Sequence, residues 1–195
     1  MTHIPDNPAV RGAKVWLRPI TVDDADLWSE GSQDKNLAHL MGFHMPESLD
    51  FSKKQFDDEF IKTYGKNSYT FVICPLGSDE RLGLIGLHSI YARNGTGEFF
   101  VFISDSAARG KGYGSDAVNA LLDFAFGELS MARVSLHVKS FNERAIKLYQ
   151  ALGFVHEGTL RRILWHRGQR HDMHIMAILR EEWEALSRPK AWQYD

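Results

Sequence analysis

Residues 109–114, with the sequence RGKGYG, place three glycines within five positions just before a predicted helix that begins near Ser115. Glycines leave the backbone N–H groups of a turn uncovered, and the first N–H groups of a helix have no partner inside it. The positive end of the helix dipole adds to their attraction for an anion. Since Arg109 and Lys111 contribute two further positive charges, the segment predicts a phosphate or pyrophosphate site. A plain glycine-rich turn with solvated basic residues is the alternative.

The two common nucleotide-binding patterns do not fit this segment. A P-loop needs G-x-x-x-x-G-K-[ST], and the sequence contains no such string. The dinucleotide pattern G-x-G-x-x-G fails because, counting from Gly110, its last position is Ser115. The strands predicted before the segment are also antiparallel, unlike the first half of a parallel βαβ unit.

Asn142 and Tyr149 are seven residues apart on a second predicted helix. Seven residues correspond to about 700° of rotation, so the two side chains share a face about 10.5 Å apart along the axis. A half-buried core aromatic is the alternative for Tyr149. A plain helix cap is the alternative for Asn142, although Ser140 with Glu143 offers a competing capping box.

Glu98 opens a predicted strand and is a candidate general base. An amine that attacks a carbonyl must be neutral, whereas a lysine-like amine is almost fully protonated at pH 7. A carboxylate can accept the proton directly or through water. A solvated carboxylate beside Arg93 is the alternative.

The elements that must position these residues follow from the patterns of apolar residues. Helices are predicted from Thr21, over about 52–64, from Ser115 and over 142–152, the last one ended by Gly153. Strands are predicted over 14–20, 69–74, 82–90, 98–104, 133–138, 154–160 and about 171–179. An antiparallel meander followed by alternating strands and helices indicates an α/β (α+β) fold with a mixed sheet.

The spacing Arg109-x-x-Gly112-x-Gly114 resembles the coenzyme A pyrophosphate loop of the GNAT superfamily of N-acetyltransferases. Further similar segments are Leu17-Arg18-Pro19, Asn142-x-x-Ala145-x-x-Leu148-Tyr149-x-x-x-Gly153-Phe154, Glu157-Gly158-x-Leu160-Arg161 and Gly168-x-x-His171-Asp172. The resemblance covers residues 14 to about 184. It is strongest to the branch that holds ribosomal-protein N-terminal acetyltransferases and spermidine N-acetyltransferase.

This resemblance implies a mostly antiparallel central sheet of about seven strands flanked by helices, and acetyl transfer from acetyl-CoA to an amine in a ternary complex. It implies Tyr149 as the acid that protonates the leaving thiolate, Glu98 as the base, and backbone N–H groups near 102–104 as donors to the thioester carbonyl. The coenzyme-binding residues that it implies are Phe102, Ile103, Ser104, Arg109, Gly110, Lys111, Gly112, Tyr113, Gly114, Ser115 and Asn142.

The acceptor is a primary amine, with the α-amine of a protein N-terminus as the first reading. A polyamine, an aminoglycoside or another small amine is the alternative acceptor. The second alternative concerns the function itself: a catalytically silent sensor that binds coenzyme A. In the family, residues 37–60 form part of the acceptor wall; here they include Met41, Phe43, His44, Met45 and Phe56. Acidic residues of the same region favour a cationic acceptor unless they form only a solvated helix face: Glu47, Asp50, Asp57, Asp58 and Glu59.

The composition of the chain argues against some other classes of function. The 195 residues carry 23 basic and 25 acidic side chains, a net charge of -2, which argues against a generically basic nucleic-acid binder. We expect a single domain over 1–195 with its core at about 14–184 and loose tails at 1–12 and 185–195. The sequence also predicts a cytoplasmic protein with no membrane partner and leaves a homodimer open.

Cysteine and histidine usage predicts no metal site. Cys74 is the single cysteine and, within an apolar strand, is expected to be a buried structural thiol. His171 and His174 are three apart on a predicted strand and should therefore lie on opposite faces.

Overall fold

A computed structural model describes residues 4–41 and 47–194, apart from the side chain of residue 36. Its centre is a seven-stranded sheet with the order β1-β2-β3-β4-β5-β7-β6. The strands are Val15–Pro19 (β1), Tyr69–Pro75 (β2), Gly83–Tyr91 (β3), Thr96–Ile103 (β4), Arg133–Lys139 (β5), Val155–His166 (β6) and Gln169–Leu179 (β7). All neighbours are antiparallel except β4 and β5. The predicted fold class and strand number are therefore confirmed.

Helices cover both faces of this sheet. They are Ala25–Gln33 (α1), Lys35–Met41 (α2), Leu49–Phe56 (α3), Tyr113–Asp123 (α4), Glu143–Ala151 (α5) and Arg180–Glu184 (α6). Side chains alternate along β1: Val15 and Leu17 join the core shared with α4, whereas Trp16 joins the core shared with α1–α3. This alternation is the one that the sequence predicts.

Three predicted helix starts differ from the structure. The helix predicted from Thr21 opens with a 3₁₀ turn at Val22–Asp24 and becomes α-helical at Ala25. The helix predicted over 52–64 begins at Leu49, because the Ser48 side chain caps it by accepting a hydrogen bond from the N–H of Phe51, and it continues into a π-helical turn at Asp57–Ile61. Helix α4 begins at Tyr113 rather than near Ser115, because Gly112 takes the preceding position with φ of 87°.

Strands β4 and β5 separate soon after they meet. Their parallel pairing joins Thr96 to Arg133, Gly97 to Val134 and Glu98 to Ser135, and no further pair forms between them in the described chain. From Phe99 onward one edge of β4 is therefore free of its neighbour. The resulting opening in the sheet positions the site.

The tails are more ordered than expected. Asp123 is buried and binds both Arg188, at 3.0 Å, and the backbone N–H of Ala191, at 2.7 Å. At the other end, the carbonyl of Val10 accepts a hydrogen bond from Leu17. Polar groups distant in the sequence therefore hold these parts of the tails to the core.

Candidate active site

A cleft of about 1190 Å³ opens where β4 and β5 separate. Its lining runs from the glycine loop before α4, past β4, β5 and α5, to the β6–β7 hairpin. It brings Glu98, Asn142 and Tyr149 to the same cavity as the loop. The glycine loop and the three candidate residues, which the sequence analysis treats as separate features, therefore line one site.

The glycine loop presents a row of free N–H donors. Within the described residues, no backbone N–H from Gly110 to Ser115 has a hydrogen-bond acceptor; the first that does is Asp116, which bonds to Gly112. Gly110 and Gly112 hold φ of 84° and 87°, a region that other residues rarely adopt. Six uncovered donors at a helix N-terminus fit an anionic group such as a pyrophosphate.

Arg109 does not contribute its charge to the loop in the way the sequence suggests. Its guanidinium donates to the carbonyls of Ile103 and Ser104, at 2.9 and 2.8 Å, and to the carboxylate of Asp34 at 2.8 Å. Arg109 therefore joins the end of β4 to the start of α2. It shapes the loop, and its charge is already paired.

Two other cations lie near the loop, and the sequence did not reveal them. The carboxylate of Asp116 in α4 accepts hydrogen bonds from the N–H groups of Lys14 and Val15. This contact brings the Lys14 ammonium 3.1 Å from the carbonyl of Lys111. Arg144, in the first turn of α5, reaches within 3.6 Å of the position that a Cβ on Gly110 would occupy. No local motif marks Lys14, because nearly one hundred residues separate it from the loop.

The hydrogen-bond pattern of β4 corrects two of the predicted donors, Phe102 and Ser104. The N–H of Ser104 donates to the carbonyl of Leu82 at 2.8 Å, so it is not available to a ligand. In an antiparallel pair such bonds alternate, so the N–H of Phe102 also points toward β3, while those of Val101 and Ile103 point into the opening. Ile103 alone among residues 102–104 keeps the role that the resemblance implies.

Tyr149 belongs to α5, and its side chain packs against the face of the sheet that α4 also covers. Its ring meets Phe99 and Phe154 edge-on, with centroids 5.6 and 5.9 Å apart. Burial raises the pKa of Tyr149 to about 12. Its hydroxyl has no hydrogen-bond partner among the residues that the structure describes, which leaves the proton available to a group in the cleft.

Asn142 is a helix cap that also lines the cleft. Its side-chain oxygen accepts a hydrogen bond from the N–H of Ala145 at 3.2 Å. This is the alternative that the sequence left open. The other end of the amide can still donate to a ligand in the cavity.

Glu98 lies on the opposite face from Tyr149, between two histidines. Nδ1 of His137 donates to its carboxylate at 2.6 Å, and Nε2 of His88 lies 3.9 Å from the same oxygen. Burial and the neighbouring His137 lower the pKa of His88, although Glu98 opposes the shift. The pairing of His88 with Glu98 can be read from the sequence once β3 and β4 are aligned as a hairpin. The contact of His137 with Glu98 cannot, because it depends on the parallel pairing of β4 with β5.

For the acidic residues of the region 37–60, the structure supports the alternative of a solvated helix face rather than an acidic acceptor wall. Asp57 and Asp58 pair with Lys62 on an exposed surface, and Glu47 accepts a hydrogen bond from Ser52. In the described chain none of the five acidic side chains lines the cleft. Met41 does line it and Phe56 is buried in the core, while the expectations for Phe43, His44 and Met45 lie outside the described residues.

The remaining expectations concern single residues. Cys74 is fully buried, and burial raises the pKa of its thiol to about 11, as expected of a structural cysteine. His174 contacts His156, whereas His171 contacts Phe141. In the described part of the chain, no group of three or more potential ligands could hold a metal ion, and no helix is long and apolar enough to cross a membrane.

The split sheet, the free N–H row and the two faces of β4 define the class of coenzyme A-dependent acyltransferases. The sequence profile of the acetyltransferase (GNAT) domain matches residues 14–155. A spermidine N(1)-acetyltransferase of Vibrio cholerae is 32% identical over 148 residues, which cover 76% of this chain and 84% of the relative. A prophage-derived N-acetyltransferase of Bacillus subtilis is 28% identical over 174 residues, covering 89% and 94%.

A solved structure agrees with these relatives. The crystal structure of spermidine N-acetyltransferase from Vibrio cholerae, in complex with coenzyme A and spermine, has a TM-score of 0.79 and 25% identity. The match covers 87% of this chain and 98% of that one. The chain belongs to the GNAT family and is an N-acetyltransferase that uses acetyl-CoA.

Proposed function

We propose that this enzyme moves the acetyl group of acetyl-CoA to a primary amine by direct attack, with both substrates bound in the cleft. The observation that carries this proposal is the row of free N–H donors from Gly110 to Ser115 at one end of that cleft. The donors fit the coenzyme pyrophosphate, and Lys14 and Arg144 add positive charge beside it. The splayed edge of β4 then receives the rest of the coenzyme.

Glu98 is the proposed base. At pH 7, holding a lysine-like amine neutral costs about 4.6 kcal/mol, whereas an α-amine costs only about 1 kcal/mol. Glu98 accepts the amine proton, directly or through water, as the new N–C bond forms. His137 fixes the orientation of the carboxylate through their 2.6 Å hydrogen bond.

Tyr149 is the proposed acid on the other face of the sheet. The N–H of Ile103 polarises the thioester carbonyl while the amine adds. As the C–S bond breaks, the phenol gives its proton to the departing thiolate. A pKa of about 12 keeps Tyr149 protonated until that step. Because a thiol has a pKa of only about 8.5, transfer of the proton to a free thiolate is uphill, so the phenol acts while the C–S bond breaks rather than after it.

Two classes of amine acceptor are compatible with this mechanism. The α-amine of a protein N-terminus is the first, because such an amine needs little help from a base. A polyamine is the second, and the observation in its favour is the name of the Vibrio cholerae relatives, spermidine N-acetyltransferases.

A thermal-shift experiment with a turnover assay tests the proposal. Coenzyme A at about 100 times its Kd should stabilise the protein by about 2.7 kcal/mol, while ATP and NAD at equal concentration should not. Addition of an amine to the acetyl-CoA complex should then release thiol. Equal shifts for all three ligands would mean a nonspecific anion site, and coenzyme binding without thiol release would favour the silent sensor.

A further inference from the structure

The face of the cleft that carries Glu98, here called the acceptor side, has an unusual charge balance for an enzyme that takes amines. Glu98 is the single carboxylate that lines the described cleft, and His137 already occupies one of its oxygens. Side chains on β5 alternate, so Lys139 points to the same side as His137. The lining there includes Lys139 and three imidazoles, those of His88, His137 and His166.

Residues 42–46 directly follow the cleft residue Met41 in the chain. Their sequence is GFHMP, which contains no acidic side chain. The acidic residues of α3 and the turn after it face solvent or their own neighbours, as described above.

Positive groups gather at the far end of the acceptor side. The Lys139 ammonium donates to the carbonyl of His39 at 2.6 Å, and the rings of His39 and His166 lie 3.9 Å apart. Burial lowers the pKa of both imidazoles, and positive neighbours, among them Lys139 and Arg167, lower it further.

An unpartnered polar atom lies in the same corner. Nε2 of His166 is inaccessible to solvent and has no hydrogen-bond partner among the described residues. An anion near Lys139 and His166 would offset the positive charge and raise the basicity of the imidazole. Ammonium groups placed there would instead meet a like charge.

The geometry points to an acceptor that carries an anionic group, a carboxylate or a phosphate, close to its reacting amine. We infer that Lys139 and the His166 corner bind this group while Glu98 receives the amine proton. The inference rests on the proposed function and narrows its acceptor to acidic amines, excluding polyamines. Lys139 is two residues from His137, about 7 Å along the strand, so the anion and the amine should be separated by a short chain.

Matched acceptors test this inference on the intact enzyme with acetyl-CoA. Three tripeptide amides, Ala-Asp-Ala, Ala-Asn-Ala and Ala-Lys-Ala, differ only in the central side chain. O-phosphoethanolamine against ethanolamine provides a small, phosphorylated pair, and spermidine provides the polycation. We expect kcat/KM for the anionic member of at least one set to exceed that of its neutral partner tenfold or more, with Ala-Lys-Ala and spermidine lowest. The set that responds distinguishes a carboxylate on a peptide from a phosphate on a small amine.

Variants at one position test whether Lys139 is responsible. Lys139→Gln should bring the ratio of anionic to neutral acceptor close to one, mainly through KM, whereas Lys139→Arg should retain it. Lys66→Gln, an exposed lysine outside the cleft, should change nothing. Coenzyme affinity and melting temperature, measured on the same variants, would detect a purely structural loss. If Lys139→Gln does not fold, the Lys139→Arg variant and the wild-type acceptor panel still test the inference.

The contrary outcomes are distinct. Preference for spermidine or the lysine peptide, or rates that ignore charge within about twofold, would overturn the inference and leave the acetyltransferase proposal intact. If the protein binds coenzyme A but no acceptor of any charge causes thiol release, both the proposed function and the inference are contradicted.

Discussion

Nδ1 of His137 lies 2.6 Å from Oε1 of Glu98, although 39 residues and helix α4 separate the two in the chain. The contact exists because β4 and β5 run parallel at Glu98 and diverge directly after it. The proposed base therefore lies at the apex of the opening in the sheet, where an acceptor on one face can meet a thioester held on the other.

Replacing Glu98 by Gln should lower kcat/KM at pH 7 by about 10²-fold or more, because the amide cannot accept the amine proton. The deficit should shrink as pH rises toward 9, since more of the amine is then neutral without a base. The measurement is a pH–rate profile of both enzymes. His137→Gln keeps a donor for Glu98 and should lose less activity, while His174→Gln is the control away from Glu98. A deficit that stays constant from pH 7 to 9 would argue that Glu98 only holds structure.

Replacing Tyr149 by Phe should reduce kcat with little change in KM, because the proton is needed only as the thiolate leaves. We expect a loss of roughly 10²-fold, and as little as about tenfold if the thiolate leaves readily unaided. The ring contacts with Phe99 and Phe154 remain, so the melting temperature should stay close to that of the parent.

The pH dependence of kcat offers a second check on Tyr149. With a pKa of about 12, only about 1% of the phenol is ionised at pH 10, and the acid form is lost only above that. Wild-type kcat should therefore show no decline assignable to Tyr149 between pH 7 and 10. A declining limb in this range that vanishes in Tyr149→Phe would contradict the raised pKa.

Replacing Gly114 by Val should weaken coenzyme A binding at least tenfold, about 1.4 kcal/mol, with the fold retained. A Cβ at Gly114 meets only the Ile103 side chain at 3.8 Å, and φ there is not positive, so the protein tolerates the change. Titration calorimetry measures the affinity, and Gly158→Val, where a Cβ meets nothing within 4 Å, is the control on an exposed strand. Unchanged affinity in a folded Gly114→Val protein would remove the loop from the coenzyme site.

Replacing Arg188 by Ala should destabilise the protein by about 3 kcal/mol, because Asp123 would keep a buried charge without its main partner. For a chain of this length the melting temperature should fall by roughly 6–12 °C. Adding Asp123→Asn should recover part of the loss, since it removes the stranded charge. A change of less than about 2 °C in Arg188→Ala would mean that the C-terminal segment is loosely attached, as the sequence suggested.

Local patterns predicted the parts of the site that are continuous in sequence. The glycine spacing predicted the turn that presents the row of free N–H groups, and helical periodicity brought Asn142 and Tyr149 to the same cleft. Alternation along β1 assigned Val15 and Trp16 to different cores. These features depend on φ, on helical rotation and on the pleat, which neighbouring residues determine.

The parts that the sequence did not predict depend on how distant elements meet. Lys14 reaches the loop only because Asp116 binds the start of β1, and His137 reaches Glu98 only through a parallel pairing. The N–H of Ser104 was misassigned because its availability depends on the register with β3. The acidic residues near α3 face away from the cleft because of the way the helix packs, which composition does not reveal.

Acetyl transfer to an amine is the reaction proposed for this cleft. An assay that follows thiol release from acetyl-CoA and the acetylated amine by mass spectrometry in the same reaction tests it most directly. We predict release that depends on the amine, equimolar acetylated product, and a strong loss of both in Tyr149→Phe and Glu98→Gln proteins that still bind coenzyme A. Thiol release without acetylated amine, or equal yields from the parent and both variants, would contradict it.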